Sequence, residues 1–207
     1  MAKRTFRIWR GDAQGGEFVT YQEDVDHGMV VLDVLHRIQG EQAQDLAVRW
    51  NCKAGKCGSC SMEINGKPRL LCMTRMNTYR EDEVITVQPL KTFPVIKDLV
   101  TDVSWNFAQN KRIPRFKPKP RDADGQHRMY QEDVDRVQEF RKCIECFLCQ
   151  DVCHVLRDHD KHDSFAGPRF FVRMAGLEMH PLDVASRTKH LKDAAGIGYC
   201  NVTKCCT

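Results

Sequence analysis

The chain has no long hydrophobic run. Nothing in its 207 residues approaches the ~20 consecutive apolar residues that a bilayer-crossing helix needs. A secretory leader is missing too: Met1-Ala2-Lys3-Arg4-Thr5-Phe6 leads straight into a strand-like pattern, with no apolar core or cleavage site. The expectation is a peripheral protein on the cytoplasmic face of the plasma membrane, with any deeper membrane contact made by partners. Charge of one sign is also scarce. Lys and Arg number 32 against 28 Asp and Glu, a net of +4, too mild and too mixed for a nucleic-acid partner. A zinc-stapled nucleic-acid module would need stacking aromatics on a basic face, yet the one basic run, 111–121, holds only Phe116. The apolar share of 42% is a little low for one large core. Two small domains held partly by metal fit better. No paired acid and base and no activated nucleophile stands out, so no catalytic residue is expected in this chain.

Cysteine, by contrast, is abundant, at eleven residues. Without a leader the thiols stay reduced, which points to metal rather than disulfides. Cys143, Cys146, Cys149 and Cys153 have the spacing C-x2-C-x2-C-x3-C, by which bacterial-type ferredoxins wrap iron–sulfur clusters. Two intervening residues let a tight turn aim successive thiolates at corners of one cubane, and the longer step aims Cys153 elsewhere. Zinc is the alternative, but its sites pair two short knuckles far apart in sequence. A second set is Cys52-x4-Cys57-x2-Cys60, followed by Cys72, the plant-type [2Fe–2S] spacing. Gly55 and Gly58 sit where the loop must take positive φ and turn amides toward sulfur. Lys53 and Lys56 are placed to offset cluster charge. Cys200, Cys205 and Cys206 bring the later set to seven thiols, enough for two clusters.

Residues 5–10 and 17–25 alternate as two strands around a turn at 11–16. Val31, Val34, Leu35 and Ile38 have helical spacing, ended by Gly40. Asn65-Gly66 marks a type I′ hairpin between 61–64 and 69–72, and 84–87 is a further strand stopped by Pro89. This predicts a small α+β sheet domain over 1–106, with 94–107 a helix leaving it. Residues 107–126 form a basic, proline-rich connector. A solvated surface connector is favoured there over contact with anionic lipid or an acidic partner. Residues 127–207 are helical: Val134, Val137, Phe140 and Arg141 share one helix, Gly167-Pro168 opens another, and 184–195 forms a third before Gly196.

These motifs together resemble the iron–sulfur subunits of succinate dehydrogenase and fumarate reductase. The resemblance spans nearly the whole chain: Cys52-Lys-Ala-Gly-Lys-Cys57-Gly-Ser-Cys60, Asn65-Gly66 before Cys72, the 143–153 run, Phe165-Ala166-Gly167-Pro168 and the last cysteine group. It implies a plant-type ferredoxin (β-grasp) domain followed by an all-α bacterial-ferredoxin-like domain. It implies that Cys52, Cys57, Cys60 and Cys72 ligate [2Fe–2S], that Cys143, Cys146 and Cys149 ligate [4Fe–4S], and that Cys153, Cys200 and Cys206 ligate [3Fe–4S]. Cys205 is left over, as a small buried apolar residue. It further implies a flavoprotein partner carrying FAD, membrane anchor subunits, and a quinone at the membrane side. The function implied is electron relay in a succinate:quinone oxidoreductase; alternatives are a quinol:fumarate reductase subunit or a stand-alone multi-cluster ferredoxin.

The chain departs from the family at the quinone end. His154 stands where the family has proline, Arg157 and Asp158 where many members have a tryptophan pair, and Asn201 where they have histidine. His154 is a candidate quinone-proximal contact. His159 and His162 are expected in a solvated polar loop. The family pattern supplies a further cysteine and proline beyond the position of Cys206, so the natural polypeptide is expected to be longer.

Overall fold

The computed structural model describes residues 2–206. Strands β1 (Ala2–Asp12) and β2 (Gly15–Val25) form a long antiparallel hairpin, with Asp12 opposite Gly15. Alternation sends Phe6 and Ile8 of β1 fully inward while Arg7 faces water. Strands β3 (Ser61–Ile64) and β4 (Lys67–Leu70) turn at Asn65 (φ 48°) and Gly66 (φ 73°), the two left-handed residues a type I′ turn requires. β5 (Ile85–Gln88) lies parallel to β1, with Phe6 beside Ile85 and Ile8 beside Val87. β6 (Val95–Lys97) and β7 (Val100–Thr101) complete the sheet in the order β4-β3-β5-β1-β6-β7, and β2 pairs with β1. Helix α1 (Val31–Glu41) buries Val31, Leu32, Val34, Leu35 and Ile38 in one cluster with Phe6, Ile8, Ile64, Ile85 and Val87. At about 1.5–3 kcal/mol for each large apolar side chain removed from water, this face is what holds the helix in place.

Along the rest of the chain come α2 (Ser104–Lys111), α3 (Gln131–Arg141), α4 (Leu148–Asp151), α5 (His154–Arg157), α6 (Pro168–Glu178) and α7 (Thr188–Asp193). The chain divides into two compact units. The first runs to Val103 and takes in Ile144–Val152; the second comprises Ser104–Cys143 and the chain from Cys153 onward. Within the second, α6 opens as expected at Gly167 (φ 83°) with Pro168 in its first turn. Gly176 lies where a Cβ would come within 3.1 Å of the Phe140 Cβ, so its bare backbone lets α3 and α6 approach. Phe170, Met174, Ala166 and Ala195 form one buried cluster, and Cys153, Val155, Leu156 and Phe165 another.

Three expectations are corrected. Gly40 does not end α1: the helix runs on to Glu41, and the Gln42 amide bonds the Ile38 carbonyl at 2.9 Å. Residues 94–107 are not one helix. They make β6 and β7 first, because Asp98 (φ 48°) is pinned at the turn between them. Its buried carboxylate accepts from the amides of Gly11 (3.0 Å) and Ala47 (2.9 Å) and from Arg10 Nε (3.0 Å). Residues 184–195 are helical only from Thr188, because Asp183 and Arg187 are drawn into a buried ion pair at 2.6 Å. The basic connector lies on the surface as expected, and backbone bonds strap it there. The Lys117 amide donates to Asp183 (3.1 Å), the Val184 amide to the Lys117 carbonyl (2.9 Å), and the Lys119 amide to the Leu182 carbonyl (2.9 Å). The fully buried Arg187 donates to the carbonyls of Pro114 and Arg115, each at 3.0 Å.

Burial alone would raise the Asp98 carboxyl, but the Ala47 and Gly11 amides and Arg10 outweigh it and hold it below the ordinary carboxylate range. A depressed group stabilises the fold above its unfolded pKa of about 3.9, and that contribution fades as pH falls through the lower folded value. Asp98→Asn is therefore expected to cost about 1.5–3 kcal/mol at neutral pH. The gap from wild type should narrow below about pH 4. Thermal unfolding of both proteins across pH 3–7 measures this; a gap independent of pH would refute it.

Candidate metal centres

The loop from Cys52 to Cys60 is shaped by three left-handed residues, Lys53 (φ 55°), Gly55 (φ 64°) and Gly58 (φ 69°). They turn the Ala54 and Lys56 amides onto Cys52 Sγ, at 3.4 and 3.2 Å, and such bonds favour a thiolate. At Cys57 the Ser59 hydroxyl is the leading influence, joined by backbone amides and the Cys52 thiol; together they bring it down to about 6. Cys60 and Cys72 are placed by the β3–β4 hairpin. Its register sets Ser61 opposite Leu70, and the Leu71 amide bonds the Cys60 carbonyl at 2.9 Å. Both thiols are buried. Burial pushes Cys60 up to about 12, with the Cys72 and Cys57 sulfurs among its neighbours. Cys52 and Cys57 are thus close neighbours, as are Cys60 and Cys72, and Cys57 lies within electrostatic reach of Cys60.

A Cβ on Gly58 would lie 2.7–2.9 Å from the Cys146 backbone and the Ile144 carbonyl, and one on Gly55 2.9 Å from the Met73 sulfur. Four convergent thiols, inward amides and glycines with no room for a side chain fit a thiolate-ligated iron–sulfur cluster. Among the described residues no three His, Cys, Asp or Glu side chains are gathered tightly enough for a single metal ion; a cluster spreads its ligands over several irons. Lys53 does not reach toward sulfur. Its Nζ stands over the Trp50 ring at 4.9 Å. Ser59 was not singled out from the sequence; its only signal is a hydroxyl residue enclosed between two cysteines.

Cys146 and Cys149 belong to the first unit. Glu145 (φ 56°) and Phe147 (φ 61°) alternate in the left-handed region, which loops the backbone tightly around Cys146 before α4 begins. Phe147 is buried edge-on against Phe93, and Asp151 accepts from the Thr92 amide at 3.0 Å. Cys143 is exposed and belongs to the second unit.

Cys153 is buried in the second unit. Burial is the main effect raising its thiol; the Leu156 and Val155 amides oppose it, and the nearby Cys206 and Cys200 sulfurs add to it. Cys153 thus lies within electrostatic reach of Cys200 and Cys206, which are both exposed. Cys200 is delivered by a single helical turn, Ile197–Tyr199, entered through Gly196 (φ 67°), where a Cβ would lie 1.8 Å from the Ser164 carbonyl oxygen. Cys205 is exposed, which corrects the expectation of a buried residue: the last turn lies on the surface and offers no core to enter.

His154 opens α5, and its ring stands edge-on to His159 at 6.1 Å. The following loop folds back over α5, with the Asp158 and His159 amides both donating to the His154 carbonyl (2.9 and 3.1 Å). Residues 158–161 and 163 are exposed, as expected of a solvated polar loop, while His162 is half-buried. It packs edge-on against Trp105 at 4.9 Å, and its Nδ1 meets Asp160 at 2.6 Å.

Residues 5–108 match the family described as a 2Fe-2S iron-sulfur cluster binding domain. The fumarate reductase iron-sulfur subunit of Mycobacterium tuberculosis (strain CDC 1551 / Oshkosh) is 32% identical over 92% of this chain and 77% of its own length. The succinate dehydrogenase iron-sulfur subunit of Paracoccus denitrificans is 34% identical over 72% of this chain and 59% of its own. Among solved structures, a chain of the Mycobacterium smegmatis Sdh1 complex in the apo form superposes with a TM-score of 0.96 at 61% identity, over 100% of this chain and 87% of that one. No helix among the described residues is long and apolar enough to cross a membrane. The chain belongs to the family of succinate dehydrogenase and fumarate reductase iron–sulfur subunits, the electron-transfer subunits of those oxidoreductases.

Proposed function

We propose that the chain carries electrons singly between a flavin in a partner flavoprotein and a quinone in a membrane anchor, in a succinate:quinone oxidoreductase at the cytoplasmic face of the plasma membrane. Cys52, Cys57, Cys60 and Cys72 hold [2Fe–2S]. Cys143, Cys146 and Cys149 hold [4Fe–4S]. Cys153, Cys200 and Cys206 hold [3Fe–4S], with His154 on its quinone side. Bound clusters supply reversible one-electron chemistry. The residues around them set how readily: the Ala54, Lys56 and Ser59 donors at the first site, and burial at Cys60, Cys72 and Cys153. The observation that carries this reading is the contact of Gly58 with the Cys146 backbone, which brings two separate cysteine sets against each other. The acid–base step on succinate is assigned in this reading to the flavoprotein. The reverse direction, named in the M. tuberculosis relative, uses the same thiols, because one-electron carriers run both ways.

Electron paramagnetic resonance of the purified assembly tests this. Cys57→Ser replaces thiolate by a poorer iron ligand, so the [2Fe–2S] signal should vanish or shift while the centre at Cys153, Cys200 and Cys206 persists. Equal disturbance of every signal, or an assembly free of flavin, would overturn the reading.

A further inference from the structure

The segment from Arg115 to Arg121 is not used by the electron relay, yet it is held in place. Pro118 forms a β-bridge with Asp183, flanked by the backbone bonds from Val184 to Lys117 and from Lys119 to Leu182. Residues 117–119 are therefore strand-like. Alternation puts Lys117 and Lys119 on one face, and Arg115 and Arg121 flank them along the exposed segment. The intervening positions are Phe116, Pro118 and Pro120. Phe116 meets His180 edge-on at 5.2 Å and helps to line an apolar cleft with α3 and α6, while staying partly exposed. Arg115, Lys117 and Arg121 are exposed and Lys119 is half-buried. None of the four makes an ion pair among the described residues.

We propose that this row is a docking strip for an anionic phospholipid surface. Four cations on a backbone that is already ordered lose little freedom on meeting a sheet of negative headgroups. A protein partner is a poorer fit. Protein interfaces have an apolar core from which charge is depleted, and this row presents cations only. An unfolded basic tail would attract any anion; a strip strapped by the bridge to 182–184 and by Arg187 presents a fixed line of charge. It thus gives the chain its own grip on the membrane surface, apart from any anchor subunit.

The test uses the full, cluster-loaded chain and sedimentation with vesicles of phosphatidylcholine alone or with added phosphatidylglycerol. The wild-type chain should bind the anionic vesicles, ignore the neutral ones, and lose binding as salt shortens the Debye length. Each basic residue near an anionic surface multiplies affinity about fivefold. Arg115→Gln, Lys117→Gln, Lys119→Gln and Arg121→Gln combined should then weaken binding by nearly three orders of magnitude. A control with equal charge loss at four exposed cations of the sheet unit, Lys67→Gln, Arg75→Gln, Lys91→Gln and Lys97→Gln, should weaken it far less. An unchanged visible spectrum shows that both variants keep their clusters. Equal weakening by both variants would reduce the effect to net charge and overturn the strip. So would a wild-type chain that ignores anionic vesicles, in which case acidic protein is the remaining occupant.

Discussion

Arg187→Met should open the basic segment two to three orders of magnitude more often than in wild type. Arg187 is fully buried and donates to Asp183 at 2.6 Å and to the carbonyls of Pro114, Arg115 and Ala185 at 3.0 Å. Removing one partner of a buried pair leaves an uncompensated charge, at a cost of about 3–5 kcal/mol. Here the stranded group is Asp183, whose side chain is itself wholly buried. Three carbonyls lose their donor at the same time. Hydrogen exchange at the Lys117 and Lys119 amides reads the opening directly, since both are bonded only while the strap is closed. Adding Asp183→Asn should restore part of the loss. The amide side chain removes the stranded charge, and its oxygen still accepts from Lys117 and Ala185. Unchanged exchange in Arg187→Met would show that the segment is held by something else.

Gly58→Ala should abolish stable cluster binding at the first site and disturb Cys146 as well. Its φ of +69° costs an alanine about 1–2 kcal/mol before any contact is counted. The added methyl would then stand 2.7 Å from the Cys146 Cα and 2.9 Å from the Ile144 oxygen, both backbone atoms that cannot swing aside. Two comparison variants separate shape from space. Gly66→Ala has a similar φ of +73° with nothing within 4 Å, so it should pay only the conformational cost. Gly55→Ala meets the Met73 side chain, which is flexible and exposed, and should fall between the two. Iron content and the visible spectrum rank the series. Similar iron loss in Gly66→Ala and Gly58→Ala would mean that the close approach at Cys146 does not matter.

Most of the sheet unit was legible because its signals are local. The β1–β2 alternation, the Asn65-Gly66 turn and the 3.6-residue period of α1 each lie within one short window. The cysteine spacings were legible for the same reason: reach between ligands is set by a few residues of loop. The errors share the opposite cause. Residues 94–107 look helical until Asp98 is bonded by Gly11 and Ala47, partners 87 and 51 positions away. Residues 184–187 look like the start of a helix until Arg187 reaches back to Pro114 and Arg115, 73 and 72 positions away. No periodicity announces such a bond. The strap on the connector was not legible from composition, because proline and positive charge say nothing about which carbonyls a distant arginine will take.

The segment 144–152 has a consequence for rate. It is clamped into the sheet unit at three points: Thr92 on Asp151, Phe93 on Phe147, and Gly58 on Cys146. No hinge therefore lies between the first cysteine loop and Cys146 and Cys149. Tunnelling between redox centres falls off exponentially with their separation. A gap set by packed backbone is fixed when the unit folds, and thermal motion elsewhere in the chain does not modulate it. In the proposed relay that hop needs no conformational change within the unit, so a slow gate in turnover would lie at a step that enters or leaves it.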